Sequence, residues 1–96
     1  MATIDIKKAH SLGKETARTR AEQLAKGMQE KMGIQWRWEG DKIKFDAPSG
    51  AAKGTTGQVS VTDSDVRVEI DLPFLLRAMK GMIEGKVNDQ INKVLT

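Results

Sequence analysis

Residues 34–47 read IQWRWEGDKIKFDA, and the alternation within them decides the fold. Apolar side chains fall at Ile34, Trp36 and Trp38, and again at Ile43 and Phe45, on either side of Gly40–Asp41. A period of two marks strands with one buried face, and a Gly-Asp pair between two such runs suits a two-residue hairpin turn. Counting outward from that turn sets Trp38 opposite Ile43 and Trp36 opposite Phe45, all on one face. Glu39 with Lys42, and Arg37 with Lys44, then share the face turned to solvent.

The same logic repeats in GQVSVTDSDVRVEIDL, residues 57–72, around Asp63–Ser64. Val61 is expected opposite Val66, Val59 opposite Val68 and Gly57 opposite Ile70, with Gln58, Ser60, Arg67 and Glu69 turned outward. Between the hairpins, APSGAAKGTTG (47–57) reads as a small-residue loop and the most mobile segment of the chain. A sheet that is dry on one face and wet on the other needs a cover for the dry one.

Helical spacing supplies that cover on both flanks. Ile4 and Ile6 alternate as a short first strand, and from about residue 12 Ala17, Ala21, Leu24, Ala25, Met28 and Met32 recur at intervals of three and four. Gly33 stands where a glycine commonly ends a helix. A second helix is expected from Pro73, a residue suited to a first helical turn, through Leu75, Leu76, Met79, Ile83, Val87, Ile91 and Val94. Phe74, Ala78, Gly81 and Gly85 form a small-residue strip off that stripe. Glycine inside a helix costs up to about 1 kcal/mol relative to alanine, so the strip suits close approach of a strand or of a second copy in a homodimer.

The expected architecture is one α+β domain over residues 1–96. It is a two-layer sandwich in the order β-α-β-β-β-β-α, an antiparallel sheet with two helices on one face, comparable in shape to a reduced helix-grip fold. A chain of 96 residues holds one core and little room for a catalytic insert. It contains no cysteine, which excludes disulfides, thiolate metal sites and cysteine nucleophiles. No stretch resembles a signal peptide or approaches the roughly 20 apolar residues of a membrane span, so a cytoplasmic protein without membrane insertion is expected.

The net charge of +3 is unevenly spread: residues 1–33 carry seven Lys/Arg against four Asp/Glu, residues 34–72 five against seven, and residues 73–96 four against two. Basic helices around an acidic sheet could face an anionic partner. GTTG at 54–57 has the form of the loop that clamps nucleic acid in KH domains, but it leads into a strand, and the polar sheet face offers no aromatic for stacking, so nucleic acid is not an expected partner. Phosphate-loop, HExxH and calcium-loop patterns are absent. No cofactor, metal site or catalytic constellation is expected.

KKAHSLGKETARTR, residues 7–20, places the only histidine, His10, beside Ser11. Nucleophilic catalysis would need a base oriented by a third group and an oxyanion site. Ser11 has no nucleophile elbow around it and stands where an N-cap belongs, with Glu15 near the positive end of the helix dipole. His10 is expected to bond a neighbouring carbonyl or carboxylate. Trp36, Trp38, Met28, Met79 and Met82 are candidate contacts to an apolar ligand or surface, since methionine adapts to irregular apolar shapes. They are expected to line the space between sheet and helices, where a carrier or sensor would need roughly 300 Å³ or more.

HSLG at 10–13 leading into an alanine-spaced helix, WEGD at 38–41, a strand beginning after Gly57 and LPFLLRAMKGMIEGKV at 72–87 resemble, in order and over nearly the whole chain, the polyhydroxyalkanoic acid system protein family of bacteria. The resemblance implies an association with polyhydroxyalkanoate storage, a place at or around the intracellular polyester granule, and binding to the granule or a granule-associated protein. It brings no catalytic residue. His10, Ser11, Leu12 and Gly13 match its most recognisable motif and read as structural. A non-enzymatic accessory protein is the expectation, with an apolar-ligand carrier as the alternative.

Overall fold

Both hairpins form in the expected register in the computed structural model, which describes residues 3–50 and 52–95. The chain runs β1 (Ile4–Ala9), α1 (Lys14–Met32), β2 (Gln35–Glu39), β3 (Lys42–Asp46), β4 (Thr56–Val61), β5 (Asp65–Asp71), a 3-10 segment (Phe74–Met79) and α2 (Lys80–Leu95). The five strands form one antiparallel sheet in the order β1-β5-β4-β3-β2. Trp36 pairs with Phe45, Trp38 with Ile43, Val59 with Val68 and Val61 with Val66. At the first turn only Gly40 takes a positive φ, +64°, the pattern of a hairpin turn with glycine at its first central position.

The dry face carries Ile43, Val59, Val68 and Ile70, all fully buried. α1 lies over β2, β3 and β4, and α2 lies beside it over β1. Ala17, Ala21, Leu24, Ala25 and Met28 bury one stripe of α1. The helix ends at Gly33, whose left-handed conformation returns its N–H to the Gln29 carbonyl. The wet face is laced by polar side chains. Arg67 donates to both carboxylate oxygens of Asp5, and Lys44 reaches Gln58, which donates to Glu69. The hydrogen bonds from Arg67 hold Asp5 below the usual carboxylate range, and Lys14, then Arg18, do the same for Asp41 in the first turn.

β4 begins at Thr56, one residue before the glycine after which a strand was expected. That glycine, Gly57, sits between Phe45 and Ile70, and the Phe45 ring lies where a side chain would stand: a Cβ there would meet Phe45 Cζ at 2.5 Å. The loop before it is closed rather than merely small. Ala47 N–H bonds to Thr55 O at 2.8 Å and Gly54 N–H to Ala47 O at 3.0 Å. Ala47, Ala52 and Thr55 are buried. The Thr55 hydroxyl has no partner among the described residues, and Ala51 lies outside them.

Ser11 is not the N-cap. α1 is capped at Gly13, with φ +80° and no side-chain bond, and Ala17 N–H bonds to the Gly13 carbonyl. The reason is His10, whose Nδ1 accepts the Leu12 N–H at 3.1 Å and extends the turn to Gly13, where positive φ suits glycine. With Nδ1 accepting, Nε2 carries the proton and donates to the Thr62 carbonyl at 3.0 Å. The His10 backbone N–H bonds to Ser64 O, so the residue ties the end of β1 to the β4–β5 turn. His10→Ala should cost about 1–2 kcal/mol in urea unfolding, the scale of two side-chain hydrogen bonds of this kind. A loss below roughly 0.5 kcal/mol would mean that the ring bonds carry no weight.

The C-terminal helix departs from its expected form. Its first six residues make the 3-10 segment, which packs chiefly on α2. Of the expected stripe only Val87 and Ile91 are buried within α2. Leu76, Ile83 and Val94 are half-buried. Leu75 is 86% exposed and Met79 42%. Their spacing is correct, but the sheet does not extend beneath them. Gly81 and Gly85 meet nothing within 4 Å of where a Cβ would stand, so no strand among the described residues packs against them. Phe74, Ala78, Gly81 and Gly85 are all exposed.

Candidate functional site: an apolar groove between the helices

α1 and α2 run antiparallel, and two contacts clamp them. Arg20 donates to the Val94 carbonyl at 3.1 Å. Gly27 leaves room for Gln90, whose Oε1 would lie 3.2 Å from a Cβ at that position. Along the pair runs a groove of about 750 Å³. Its apolar lining comes from Met28 and Met32 of α1, Leu76 and Met79 of the 3-10 segment, and Met82, Ile83 and Val87 of α2. Its polar lining includes Lys31, Lys86 and Lys93, with Asp89 and Gln90. Four of the five methionines of the chain converge here.

The tryptophans do not. Trp36 donates from its indole Nε1 to Gln29 at 3.0 Å, and Trp38 to Glu22 at 3.0 Å. The Arg18 guanidinium stacks 4.1 Å above the Trp38 ring. Both lie on the edge strand β2 beneath the flank of α1, with their polar atoms engaged. The expected joint lining of tryptophans and methionines between sheet and helices is therefore divided. Side chains fill the sheet–helix interface, with Ile43, Leu24, Val68 and Ile91 fully buried, and the open volume lies between the two helices.

Met28, Met79 and Met82, expected between sheet and helices, line the groove between the two helices instead, and the lysines beside them were not expected there. Lys31 follows Met28 by three residues and Lys86 follows Met82 by four, so each shares its methionine's helical face. Chemically the site is soft and basic. Among the described residues no group of three or more His, Cys, Asp and Glu is placed to hold a metal, and both His10 ring nitrogens are committed to backbone bonds. No helix among the described residues is long and apolar enough to cross a membrane.

A family model described as "Putative polyhydroxyalkanoic acid system protein" matches residues 4–95. No curated protein and no solved structure matches the chain.

Proposed function

Because the chain belongs to the polyhydroxyalkanoic acid system protein family, we propose that it is a non-enzymatic accessory of polyester storage that docks on the storage granule through the 3-10 segment and the start of α2. The supporting observation is the exposure of four large apolar side chains within residues 74–82: Phe74 at 82%, Leu75 at 86%, Met79 at 42% and Met82 at 50%. The charges in that stretch are Arg77 and Lys80, both positive. An apolar cluster flanked by cations suits a hydrophobic surface that carries anionic groups. The location that follows is the cytoplasmic face of the granule.

Burying a Phe or Leu side chain is worth about 1.5–3 kcal/mol, so the tip should dominate adhesion. In density-gradient fractionation of polymer-accumulating cells, the protein should migrate with washed granules. Phe74→Asp/Leu75→Asp should lower its granule-bound fraction at least about tenfold while circular dichroism stays unchanged. A wild-type protein that stays wholly in the soluble fraction, or a tip variant that binds equally well, would overturn the reading.

A further inference from the structure

We propose that the groove between α1 and α2 binds a medium-length acyl carboxylate, its chain against the methionines and its head among the lysines. The groove shares Met79 and Met82 with the granule-docking tip, but the proposal rests on Met28, Met32, Lys31 and Lys86, which lie outside it. The volume of about 750 Å³ lies within the roughly 300–1,000 Å³ of small-molecule sites. From Met79 to Val87 the wall formed by the 3-10 segment and α2 runs about 12 Å at 1.5 Å per helical residue, the reach of a medium-length acyl chain.

The order of the lining residues identifies an amphiphile with two distinct ends. Along the C-terminal helix the groove's rim passes from Leu76, Met79, Met82 and Ile83 to Lys86, Asp89 and Gln90, with the buried Val87 on the floor. One end is apolar and the other polar. The charges oppose another occupant, a second copy of the chain. Its exposed apolar tip carries Arg77 and Lys80, which would be driven against Lys31 and Lys86. Lys31 and Lys86 against Asp89 in the lining leave an excess of positive charge for a carboxylate. Lysine serves such a head as a mobile point charge, and the methionines adapt to chain length.

The test is titration of protein labelled with ¹³C in its methionine methyl groups, using decanoate below its micelle concentration and 1-decanol as the uncharged probe. Decanoate should shift the Met28, Met32, Met79 and Met82 signals saturably, and 1-decanol should bind at least tenfold more weakly. Lys31→Glu/Lys86→Glu should reduce decanoate to the level of 1-decanol, and Met82→Trp, at an exposed position, should fill the groove and abolish both. Absence of saturable shifts overturns the proposal, as does equal binding of the two probes. Shifts produced by an acidic amphipathic peptide and not by decanoate would make the groove a protein-docking site. Shifts that follow protein concentration alone would make it a self-association site, and either result overturns the proposal. Granule co-migration of the Lys31→Glu/Lys86→Glu protein reads the tip separately, so a failure of one reading is distinguishable from a failure of the other.

Discussion

Gly57→Ala should lower the free energy of unfolding by about 3 kcal/mol, at the upper end for overpacking a filled core. The added methyl carbon would stand 2.5 Å from Phe45 Cζ and 3.0 Å from Cε1, and closer still to the Glu69 carbonyl oxygen of β5. The ring is itself 3% exposed and has no open side to turn toward. The backbone oxygen belongs to Glu69 of β5, a strand held by β4 on one side and β1 on the other, where Glu69 pairs with Gln58 and Asp5. Glycine in a strand interior ordinarily weakens it; here its absent side chain is the space that the aromatic ring occupies. Urea unfolding of Gly57→Ala, Phe45→Leu and the double variant separates the two contacts. The smaller side chain should return part of the loss, and the part that persists belongs to the Glu69 carbonyl. A single variant within about 0.5 kcal/mol of the parent, the scatter of neutral surface changes, would mean that the ring is not seated on Gly57.

Ile91→Ala should cost a similar amount, about 3 kcal/mol, within the range for truncating a fully buried aliphatic side chain. Its location makes the effect more than a general loss. α2 buries only Val87 and Ile91 completely, so half of its deepest anchorage is in one residue. Native-state hydrogen exchange should show α2 losing protection well before β3, β4 and β5, as a locally opening unit. The groove should fail with it, since Ile83, Lys86 and Val87 stand on the same helix. Met82→Ala, at a half-exposed position, should leave stability nearly unchanged. Equal loss of protection in sheet and helix would mean that α2 and the sheet unfold as one body.

The parts of this fold that were legible in the sequence are those governed by period. Alternation through Trp36, Trp38, Ile43 and Phe45 sets a register because a slip by one residue would turn every apolar side chain to water. Ala17 through Met28 similarly define the buried stripe of α1. The features that escaped depend on contacts distant in the chain. The start of α1 moved from Ser11 to Gly13 because of the His10 ring, one of whose bonds reaches Thr62. Leu75 and Met79 have correct helical spacing, yet spacing cannot report where the sheet beneath them ends. Period also assigns a face without naming the neighbour across it. For that reason the tryptophans of β2 and the methionines of α1, the 3-10 segment and α2 were expected together, and they lie on opposite flanks of α1. Lys31 and Lys86 sat on the faces of Met28 and Met82 throughout, and acquire meaning only once α1 and α2 are known to lie side by side.

The pairing of β1 with β5 has a consequence for how the molecule is made. Ile4 pairs with Ile70 and Ala9 with Asp65, so β1 leaves the ribosome before the other four strands of its sheet and finds its partner only after β2, β3 and β4 have followed. α1 is likewise synthesised before any strand of the sheet that it covers except β1. During translation β1 and the apolar stripe of α1 must wait, unpaired, for two hairpins to form. Such non-local closure is the slow kind, and a nascent chain in this condition exposes Ile4, Ile6 and Leu24 at the stage when aggregation competes most effectively with folding.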